Sequence, residues 1–262
     1  MTVIHINDLS LRIGKKQLLD SVSISIKAGE RVAIVGPNGA GKTTLLKCLL
    51  GLIPNNHDSV QIQNVKIAEL SRQDIARTMG YVPQQLSEEI PFTVLEFIMM
   101  SRYSHATGGI LPSDPEGERI AKQVTQRLDI QHLENQSMST LSGGERQKIN
   151  LAAALAKDTP ILILDEPAAH LDPAQRDSIQ QTLREIGHSN KKTILAVTHD
   201  LNWAATDFDR IIGMANGQII ADAPPAEFIT SENLHHIFRS TWSIHPHPES
   251  GLPVVLPTHQ SD

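Results

Sequence analysis

The sequence has little of several residue types, and each shortage excludes a class of protein. A single cysteine, Cys48, excludes a disulfide framework and indicates a reducing compartment. No apolar run approaches the roughly 18 residues of a membrane-spanning helix, since even Ile161–Leu164 ends at an acidic pair. A formal net charge of −6 without a polybasic block argues against nucleic acid or anionic lipid as direct partners. We therefore expect a cytosolic protein, which a partner would have to hold if it works at a membrane.

Two hydrophobic patterns predict an α/β fold. Apolar and polar residues alternate along Val3–Leu11 and Ser21–Ile26, which predicts half-exposed strands of an antiparallel layer. Short continuous apolar runs at Arg31–Val35, Ile161–Leu164 and Thr193–Thr198 predict the buried strands of a parallel sheet. The fold class expected from these patterns is a parallel sheet with an added antiparallel layer.

The middle of the chain has helical periodicity. From Phe92 to Leu133 apolar residues recur at helical spacing, so residues 85–158 are predicted to form a helical subdomain inserted between core segments 1–84 and 159–240. A helix is predicted at Ser231–Phe238, and the proline- and histidine-rich tail, residues 241–262, is predicted to be extended.

A glycine-rich stretch between a strand and a helix predicts a nucleotide site. It fits the pattern G-x-x-x-x-G-K-[ST] at every fixed position, and such glycines let backbone N–H groups turn towards a phosphate chain. Lys42 would reach the β- and γ-phosphates, and the Thr43 hydroxyl would ligate Mg²⁺. The predicted ATP-binding residues are Gly36, Pro37, Asn38, Gly39, Ala40, Gly41, Lys42, Thr43 and Thr44.

Polar residues at strand ends supply the rest of a magnesium–nucleotide site. Asp165 is predicted to hold Mg²⁺, and Glu166 to orient and deprotonate the attacking water. The alternative for this acidic pair is a helix N-cap or a solvated turn, which the upstream glycine-rich loop disfavours. Gln84 is a candidate for reaching the metal or the water, and His199 for a hydrogen bond to the γ-phosphate.

A second helix start with anion-binding character follows the middle section. It consists of Leu141, Ser142, Gly143, Gly144 and Glu145, and it opens a helical pattern over Arg146–Ala156. The first helix start already serves the phosphates. A second one therefore indicates a shared site.

Taken in order, these motifs resemble those of the ATP-binding subunits of ABC transporters over essentially the whole chain. The glycine-rich loop matches Walker A, Gln84 the Q-loop, residues 141–145 the signature, residues 161–166 Walker B, and His199 the switch histidine; a D-loop spans Ala169–Asp172. The resemblance implies a P-loop ATPase with a RecA-like core, an antiparallel layer and a helical subdomain. It also implies a head-to-tail dimer in which Ser142, Gly143 and Gly144 contact the γ-phosphate in trans and Asp172 links the two sites.

The chain departs from the family at a few positions. Ile13 occupies the place of an aromatic residue that usually stacks on adenine, so we predict poor discrimination between ATP and GTP. Lys148 and Ala153 replace arginines that are common in the family. These two lie in the predicted helical subdomain, so they bear on coupling more than on hydrolysis.

Two stretches are similar to one branch of the family, the importers of iron-siderophore complexes, haem and vitamin B12. They are Phe92–Glu96 with Ser101–Tyr103, and the tail segment Pro248–Val255. This resemblance implies an ATPase at the cytoplasmic face of the cell membrane that uses ATP and Mg²⁺. Its implied partners are a second copy of itself, two permease subunits and, indirectly, an extracytoplasmic substrate-binding protein, with no nucleic acid.

Two alternatives remain open at this point: a soluble ABC ATPase that serves assembly or repair, and an importer of another solute such as free metal ions. The histidines near the carboxyl end also have two interpretations, a metal-sensing site or solvated side chains, and the proline-rich context favours the second. These residues are His235, His236, His245 and His247.

Overall fold

The computed structural model describes residues 1–53, 59–84, 90–106, 114–169, 171–190 and 192–258. Within these ranges the strands are β1 (Thr2–Ile13), β2 (Lys16–Lys27), β3 (Arg31–Val35), β4 (Val60–Ile62), β5 (Val65–Lys66), β6 (Met79–Val82), β7 (Ile161–Asp165), β8 (Thr193–Val197), β9 (Arg210–Ala215), β10 (Gln218–Ala223), β11 (Trp242–Pro246) and β12 (Pro253–Pro257). The α-helices are α1 (Lys42–Leu49), α2 (Arg72–Thr78), α3 (Val94–Ser101), α4 (Gly117–Arg127), α5 (Gly143–Ala156), α6 (Pro173–Asn190), α7 (Leu201–Asp207), α8 (Pro225–Phe228) and α9 (Ser231–Phe238).

The chain forms two compact units. The first combines Met1–Leu70 with Lys191–Asp262, and the second is Ser71–Asn190. The second unit holds α2 to α6 together with β6 and β7. It is thus wider than the predicted helical subdomain, whose limits of 85–158 remain a prediction.

A parallel sheet forms the core of the first unit. Strand β3 pairs in parallel with β8 on one side and β9 on the other, and β10 pairs antiparallel with β9. Residues 32–35 and 194–197 are buried, in agreement with their continuous apolar sequence. Because β3 and β8 are adjacent and parallel, the loops that follow them leave the same edge of the sheet.

An antiparallel layer also belongs to the first unit, with strand order β2-β1-β4-β5. Strands β1 and β2 pair from Thr2 opposite Lys27 to Ile13 opposite Lys16. Along β1 the buried residues Ile4 and Ile6 flank the exposed His5, the alternation that predicted a half-exposed strand. The prediction is confirmed, and both strands are longer than predicted.

Helices and a parallel strand pair make up the second unit. Strands β6 and β7 run in parallel from Met79 opposite Ile161 to Val82 opposite Leu164. Helices α3, α4 and α5 pack on one another, and Ile98, Ala121 and Ile149 are fully buried on them. Three helices of this unit begin with a capping box, in which a serine or threonine N-cap and an acidic residue bond to each other's backbone; the N-caps are Ser71, Thr93 and Ser142.

The carboxyl-terminal segment forms a hairpin. Helix α9 spans Ser231–Phe238, as predicted, and the tail beyond it consists of β11 and β12, which pair antiparallel. Asn202 of α7 fastens β12, because its Oδ1 accepts from Val255 N at 2.8 Å and its Nδ2 donates to Val255 O at 3.2 Å. The residues are extended, as predicted, but the sequence did not indicate that they pair.

Among the described residues, no helix combines the length and the apolar character needed to cross a bilayer.

Candidate functional site

The glycine-rich loop of the first unit holds its lysine close to its own backbone. Lys42 is 6% exposed, and its Nζ donates to the carbonyl oxygens of Gly36 at 2.7 Å and Pro37 at 3.0 Å. Gly36 must be glycine because a Cβ there would lie 2.1 Å from the backbone oxygen of Met214. The ammonium is therefore fixed over the start of the loop.

Helix α1 begins without a side-chain cap. Its N-cap, Gly41, has a φ of 102°, a left-handed conformation that favours glycine, and as a glycine it offers no side-chain oxygen to the first amides of α1. A Cβ at Gly41 would also lie 2.6 Å from the backbone oxygen of Leu18. Because the first amides of a helix need acceptors from outside it, this end of α1 suits an anion.

His199 lies in the same unit, directly after β8. Thr198 N donates to Ile34 O of β3 at 3.0 Å, which holds the segment before the histidine against the neighbouring strand. Asp200, the residue after it, caps α7 by accepting from Trp203 N at 2.9 Å. The histidine and the glycine-rich loop thus follow adjacent strands at the same edge of the sheet.

In the second unit, the last residue of β7 and the residue after it, both acidic, lie beside polar residues from β6 and the segment that follows it. Gln84 Nε2 donates to Glu166 Oε2 at 3.0 Å, and the Tyr81 side chain lies close to the carboxylate of Asp165. Asp165 is 1% exposed, and Glu166 has a φ of 51°. The structure therefore brings together three residues singled out in the sequence, Gln84, Asp165 and Glu166, and adds Tyr81.

Tyr81 was not recognised in the sequence. Burial, followed by the negative charge of Asp165 and the hydrogen bond to it, raises the pKa of Tyr81 to about 12, so the phenol stays protonated at neutral pH. A tyrosine in a short strand is ordinarily a packing residue, and no local pattern connects it to an aspartate so far along the chain. The parallel pairing of β6 with β7, which sets Tyr81 opposite Ile163, is what brings the two together.

The signature residues form the start of α5. Ser142 Oγ accepts from Glu145 N at 3.4 Å, and Glu145 Oε2 accepts from Ser142 N at 2.8 Å. The hydrogen bonds from Ser142, first through its side chain and then through its backbone, hold the pKa of Glu145 below its usual range. Ser142 and Gly143 are exposed, whereas Gly144 is buried.

Gln175 covers Gly144. A Cβ on Gly144 would lie 2.0 Å from Gln175 Oε1, so the glutamine amide rests on the glycine backbone. The backbone N of Gln175 donates to Asp172 Oδ1 at 2.9 Å, which makes Asp172 a cap of α6. The D-loop is thereby linked to the signature through Gln175 within one chain. The glycine at 144 signals a close approach, but the sequence does not reveal which residue approaches.

Two interpretations of the sequence receive less support from the structure than the others. Gln85 and His170, which belong to the predicted helical surface and to the D-loop, lie outside the described residues. Within the described part of the chain, no three His, Cys, Asp or Glu side chains are grouped so that they could hold a metal ion. His247 Nδ1 accepts from the backbone of Glu249 and Ser250, both at 3.3 Å, which is a turn-forming role.

The family model for the ABC transporter matches residues 19–169. This is more than half of the 262-residue chain. The matched segment runs from β2 to the residues just after Walker B and includes the glycine-rich loop and the signature.

Curated relatives extend the match to nearly the full chain. The hemin import ATP-binding protein HmuV of Shewanella denitrificans is 31% identical over 259 residues, covering 97% of this chain and 100% of its own length. The ferric enterobactin transport ATP-binding protein FepC of Escherichia coli is 33% identical over 249 residues, covering 95% of this chain and 92% of its own.

Solved structures agree with the fold. A chain of an inward-facing "metal-chelate type ABC transporter" has a TM-score of 0.84 at 24% identity and covers 99% of this chain and 98% of that one. A chain from the dimeric structure of a bacterial ABC transporter cassette has a TM-score of 0.75 at 29% identity, covering 84% and 98%. The predicted ABC ATPase fold, with a parallel core sheet and an antiparallel layer, is confirmed. The chain belongs to the ABC transporter family, as one of its ATP-binding and ATP-hydrolysing proteins.

Proposed function

We propose that this chain is the ATPase subunit of an importer for a metal chelate, haem or an iron-siderophore complex. The observation that carries the proposal is the near full-length likeness, at 31% and 33% identity, to a hemin import and a ferric enterobactin transport ATP-binding protein. The resemblance of Phe92–Glu96 and of the tail segment to the same branch supports it.

ATP binds first at the glycine-rich loop. The amides of residues 36–44, including the start of α1 with its glycine N-cap, receive the phosphates, and Lys42 supplies a buried positive charge beside them. His199 follows the strand adjacent to β3 and donates a hydrogen bond to the γ-phosphate. The support for these roles is the family pattern and the position of both groups at one sheet edge.

The predicted metal ligands suit Mg²⁺. They offer a hydroxyl oxygen from Thr43, a carboxylate from Asp165 and an amide oxygen from Gln84, all hard donors of the kind Mg²⁺ prefers. Because Gln84 Nε2 donates to Glu166, the amide oxygen is the atom left for the metal. Bound Mg²⁺ neutralises charge on the phosphates. Glu166, oriented by Gln84, takes the proton of the attacking water.

A second copy of the chain completes each site. The exposed Ser142 and Gly143 at the start of α5 contact the γ-phosphate held by the partner's glycine-rich loop, in a head-to-tail dimer. Asp172, which caps α6, lies between the two sites. The dimeric cassette among the similar structures supports this assembly. Isolated monomers should consequently bind ATP and hydrolyse it slowly.

A permease subunit docks in a groove of the second unit. The groove has a volume of about 520 Å³ and a mainly apolar lining that includes Tyr81, Pro83, Phe92, Phe97 and Met100. A part-buried lysine, Lys157, lies among these side chains.

The charge of the groove supports one kind of occupant. Burial lowers the pKa of Lys157, with no charged partner among the described residues. Burying an unpaired charge is costly, so a carboxylate from the occupant would stabilise the ammonium. We assign to the groove a short amphipathic cytoplasmic helix of the permease, with apolar side chains and a carboxylate for Lys157.

These contacts set the protein's location. Two permease subunits, one for each copy, hold the ATPases at the cytoplasmic face of the cell membrane. An extracytoplasmic substrate-binding protein acts only through the permease, and the net charge of −6 gives nucleic acid no role.

Co-purification and transport test the proposal together. The full chain should co-purify with a polytopic membrane protein, and vesicles holding the complex should take up labelled haem or ferric siderophore when ATP is present. A complex made only of cytosolic proteins would support an assembly or repair factor instead. Uptake of free metal ions without the chelate would contradict the substrate class.

Glu166→Gln tests the assigned base within the same complex. Turnover should fall by about 10³-fold, within the usual range for loss of a general base, whereas ATP affinity should stay near the wild-type value. Substantial residual hydrolysis would argue against this role for Glu166.

A further inference from the structure

The segment around His199 is held by hydrogen bonds on both of its sides. Before the histidine, Thr198 N donates to Ile34 O of β3 at 3.0 Å, and the Thr198 hydroxyl accepts from Asp200 N at 3.0 Å. After it, Asp200 caps α7. The His199 side chain itself is exposed. The direction of the imidazole therefore depends on the strand before it and on the helix after it.

Helix α7 is short and needs support from its surroundings. It has seven residues, too few for a helix to be stable by itself in water. Leu201 and Trp203 are buried and hold one side of it. Asn202 lies between them at an exposed position, three residues after the histidine. Any support for the exposed side of this first turn comes from what Asn202 contacts.

Asn202 ties α7 to the carboxyl-terminal hairpin. Its Oδ1 accepts from Val255 N at 2.8 Å and its Nδ2 donates to Val255 O at 3.2 Å, so one side chain satisfies both backbone groups of a strand residue. The amide thereby takes the place of a neighbouring strand at the edge of β12. Val255 is buried, and it pairs across the hairpin with Ile244 of β11. The helix that begins just after the histidine is thus fastened to a packed hairpin.

We infer that Asn202 is a positioning residue for His199, and that the carboxyl-terminal hairpin is the support against which it acts. The inference rests on the proposed function insofar as His199 contacts the γ-phosphate. With the tie in place, α7 fixes the turn at Asp200 and aims the imidazole at the phosphate. Without the tie, α7 moves more and the imidazole samples other directions. Because ADP has no γ-phosphate, the positioning affects the binding of ATP and not that of ADP.

Asn202→Ala removes the tie, and Thr206→Ala is its matched control. Thr206 lies one turn further along the exposed side of α7, and its hydroxyl bonds back to the carbonyl oxygens of Asn202 and Trp203 within the helix. Affinities for ATP and ADP are measured by calorimetry on full chains that carry Glu166→Gln, which prevents hydrolysis. His199→Ala should reduce the ratio of ATP to ADP affinity by about 10-fold, the value of one hydrogen bond to a charged group. Asn202→Ala should reduce it by about 5-fold, and Thr206→Ala should leave it unchanged.

Two further variants show whether Asn202 acts through the histidine. In the His199→Ala background, Asn202→Ala should reduce the ratio no further, because residues that act through one another are not additive. Asn202→Asp keeps an acceptor for Val255 N and places a favourable negative charge in the first turn of α7, but it loses the donor to Val255 O. It should recover only part of the lost ratio, whereas full recovery would show that the stability of α7 alone matters and would overturn the inference.

Amide hydrogen exchange reports the tie itself. The Val255 amide should exchange about 10-fold faster in Asn202→Ala than in wild type. The ADP affinity and the thermal unfolding midpoint, measured on the same samples, should stay near wild type and show that the variant is folded. Should Asn202→Ala fail to fold, Asn202→Asp carries the same test.

The outcomes separate the inference from the function on which it rests. An unchanged ratio in Asn202→Ala, or an additive loss in the double variant, overturns the positioning role and leaves the nucleotide site as proposed. An unchanged ratio in His199→Ala overturns the contact with the γ-phosphate, and the inference with it. A chain that recruits no membrane protein would overturn the proposed importer, while these measurements, which need only the ATP-binding chain, would still decide the role of Asn202.

Discussion

The two glycine-rich helix starts of this chain differ in how their first amides are satisfied. Helix α1 follows Gly41, a left-handed glycine that has no side chain with which to cap the helix. Helix α5 begins with a complete capping box between Ser142 and Glu145. A glycine N-cap leaves room for a phosphate at the first amides, whereas a capping box supplies its own acceptor.

The two helix starts are both rich in glycine, but this contrast assigns them different roles. The start of α1 can bind an anion with nothing else present, and Lys42 adds a charge that is almost fully buried. The start of α5 gains less from an anion, so it should act only when a second chain presents it to phosphates that are already bound. The four predictions that follow test this contrast.

The largest effect is expected from Gly41→Ala. The new Cβ would lie 2.6 Å from Leu18 O, and residues with a side chain rarely adopt a φ of 102°. The start of α1 must therefore shift. The free energy of unfolding should fall by about 1–3 kcal/mol. ATP affinity should fall by about 100-fold, equivalent to about 3 kcal/mol. Urea unfolding and calorimetric titration with ATP measure the two quantities.

Gly143→Ala is the matched change at α5. A Cβ there would meet nothing within 4 Å. Because alanine favours a helix, the free energy of unfolding should stay the same or rise by up to about 1 kcal/mol. Monomer ATP affinity should not change, but ATP-dependent dimerisation in the Glu166→Gln background should weaken by about 10-fold. A loss of monomer affinity as large as that of Gly41→Ala would abolish the contrast.

Base recognition provides a smaller effect. If the phosphates at α1 dominate binding, ATP and GTP should compete almost equally, since Ile13 is 57% exposed and offers no aromatic face. Ile13→Tyr should then favour ATP by about 2- to 10-fold, the value of one stacking contact. A wild-type chain that strictly selects adenine in a competition assay would contradict the prediction.

The smallest effect concerns the cap itself. Hydrogen bonds from Ser142 depress the folded pKa of Glu145, so its contribution to stability is present above the unfolded pKa and is lost as the pH falls through the folded value. Glu145→Gln should lower the free energy of unfolding at pH 7 by about 0.5 kcal/mol, because the group is largely exposed and screened. The difference from wild type should shrink below about pH 4.

Glu96→Gln is the control for Glu145→Gln. Glu96 forms the same capping box with Thr93, and the backbone hydrogen bond from Thr93, followed by its side chain, lowers its pKa as well. Its stability profile should have the same dependence on pH. Glu145→Gln alone should alter ATP-dependent dimerisation, and an equal effect of Glu96→Gln would show that the signature cap has no special part in it.

Local patterns predicted most of the secondary structure near the motifs. Alternation predicted β1 and β2, continuous apolar runs predicted β3, β7 and β8, and helix α9 begins and ends at the predicted residues. Such signals succeed because burial on one face or on both is encoded within a few neighbouring residues. The pairing of β11 with β12 has no such signal, since it depends on Asn202 of a distant helix.

The functional site shows the same distinction between features encoded by neighbouring residues and features that depend on distant ones. The motif residues could be named from the sequence, because a phosphate loop and a strand-end carboxylate need fixed residue types at fixed spacing. Tyr81 and Gln175 could not, since each acts through a partner far along the chain. Their contacts with Asp165 and Gly144 depend on strand register and helix packing, which no short window contains.

The contact between the Gln175 amide and Gly144 also means that the residue tolerated at one of these positions depends on the residue at the other. Any side chain at 144 would collide with the glutamine, whose Oε1 lies 2.0 Å from the position of the missing Cβ. Because that oxygen is the far end of a flexible side chain, Gln175 would have to swing aside for alanine at 144. In a library that randomises both positions, active clones with alanine at 144 should therefore favour short residues at 175. During evolution, the substitutions tolerated at one position would then depend on the residue already present at the other.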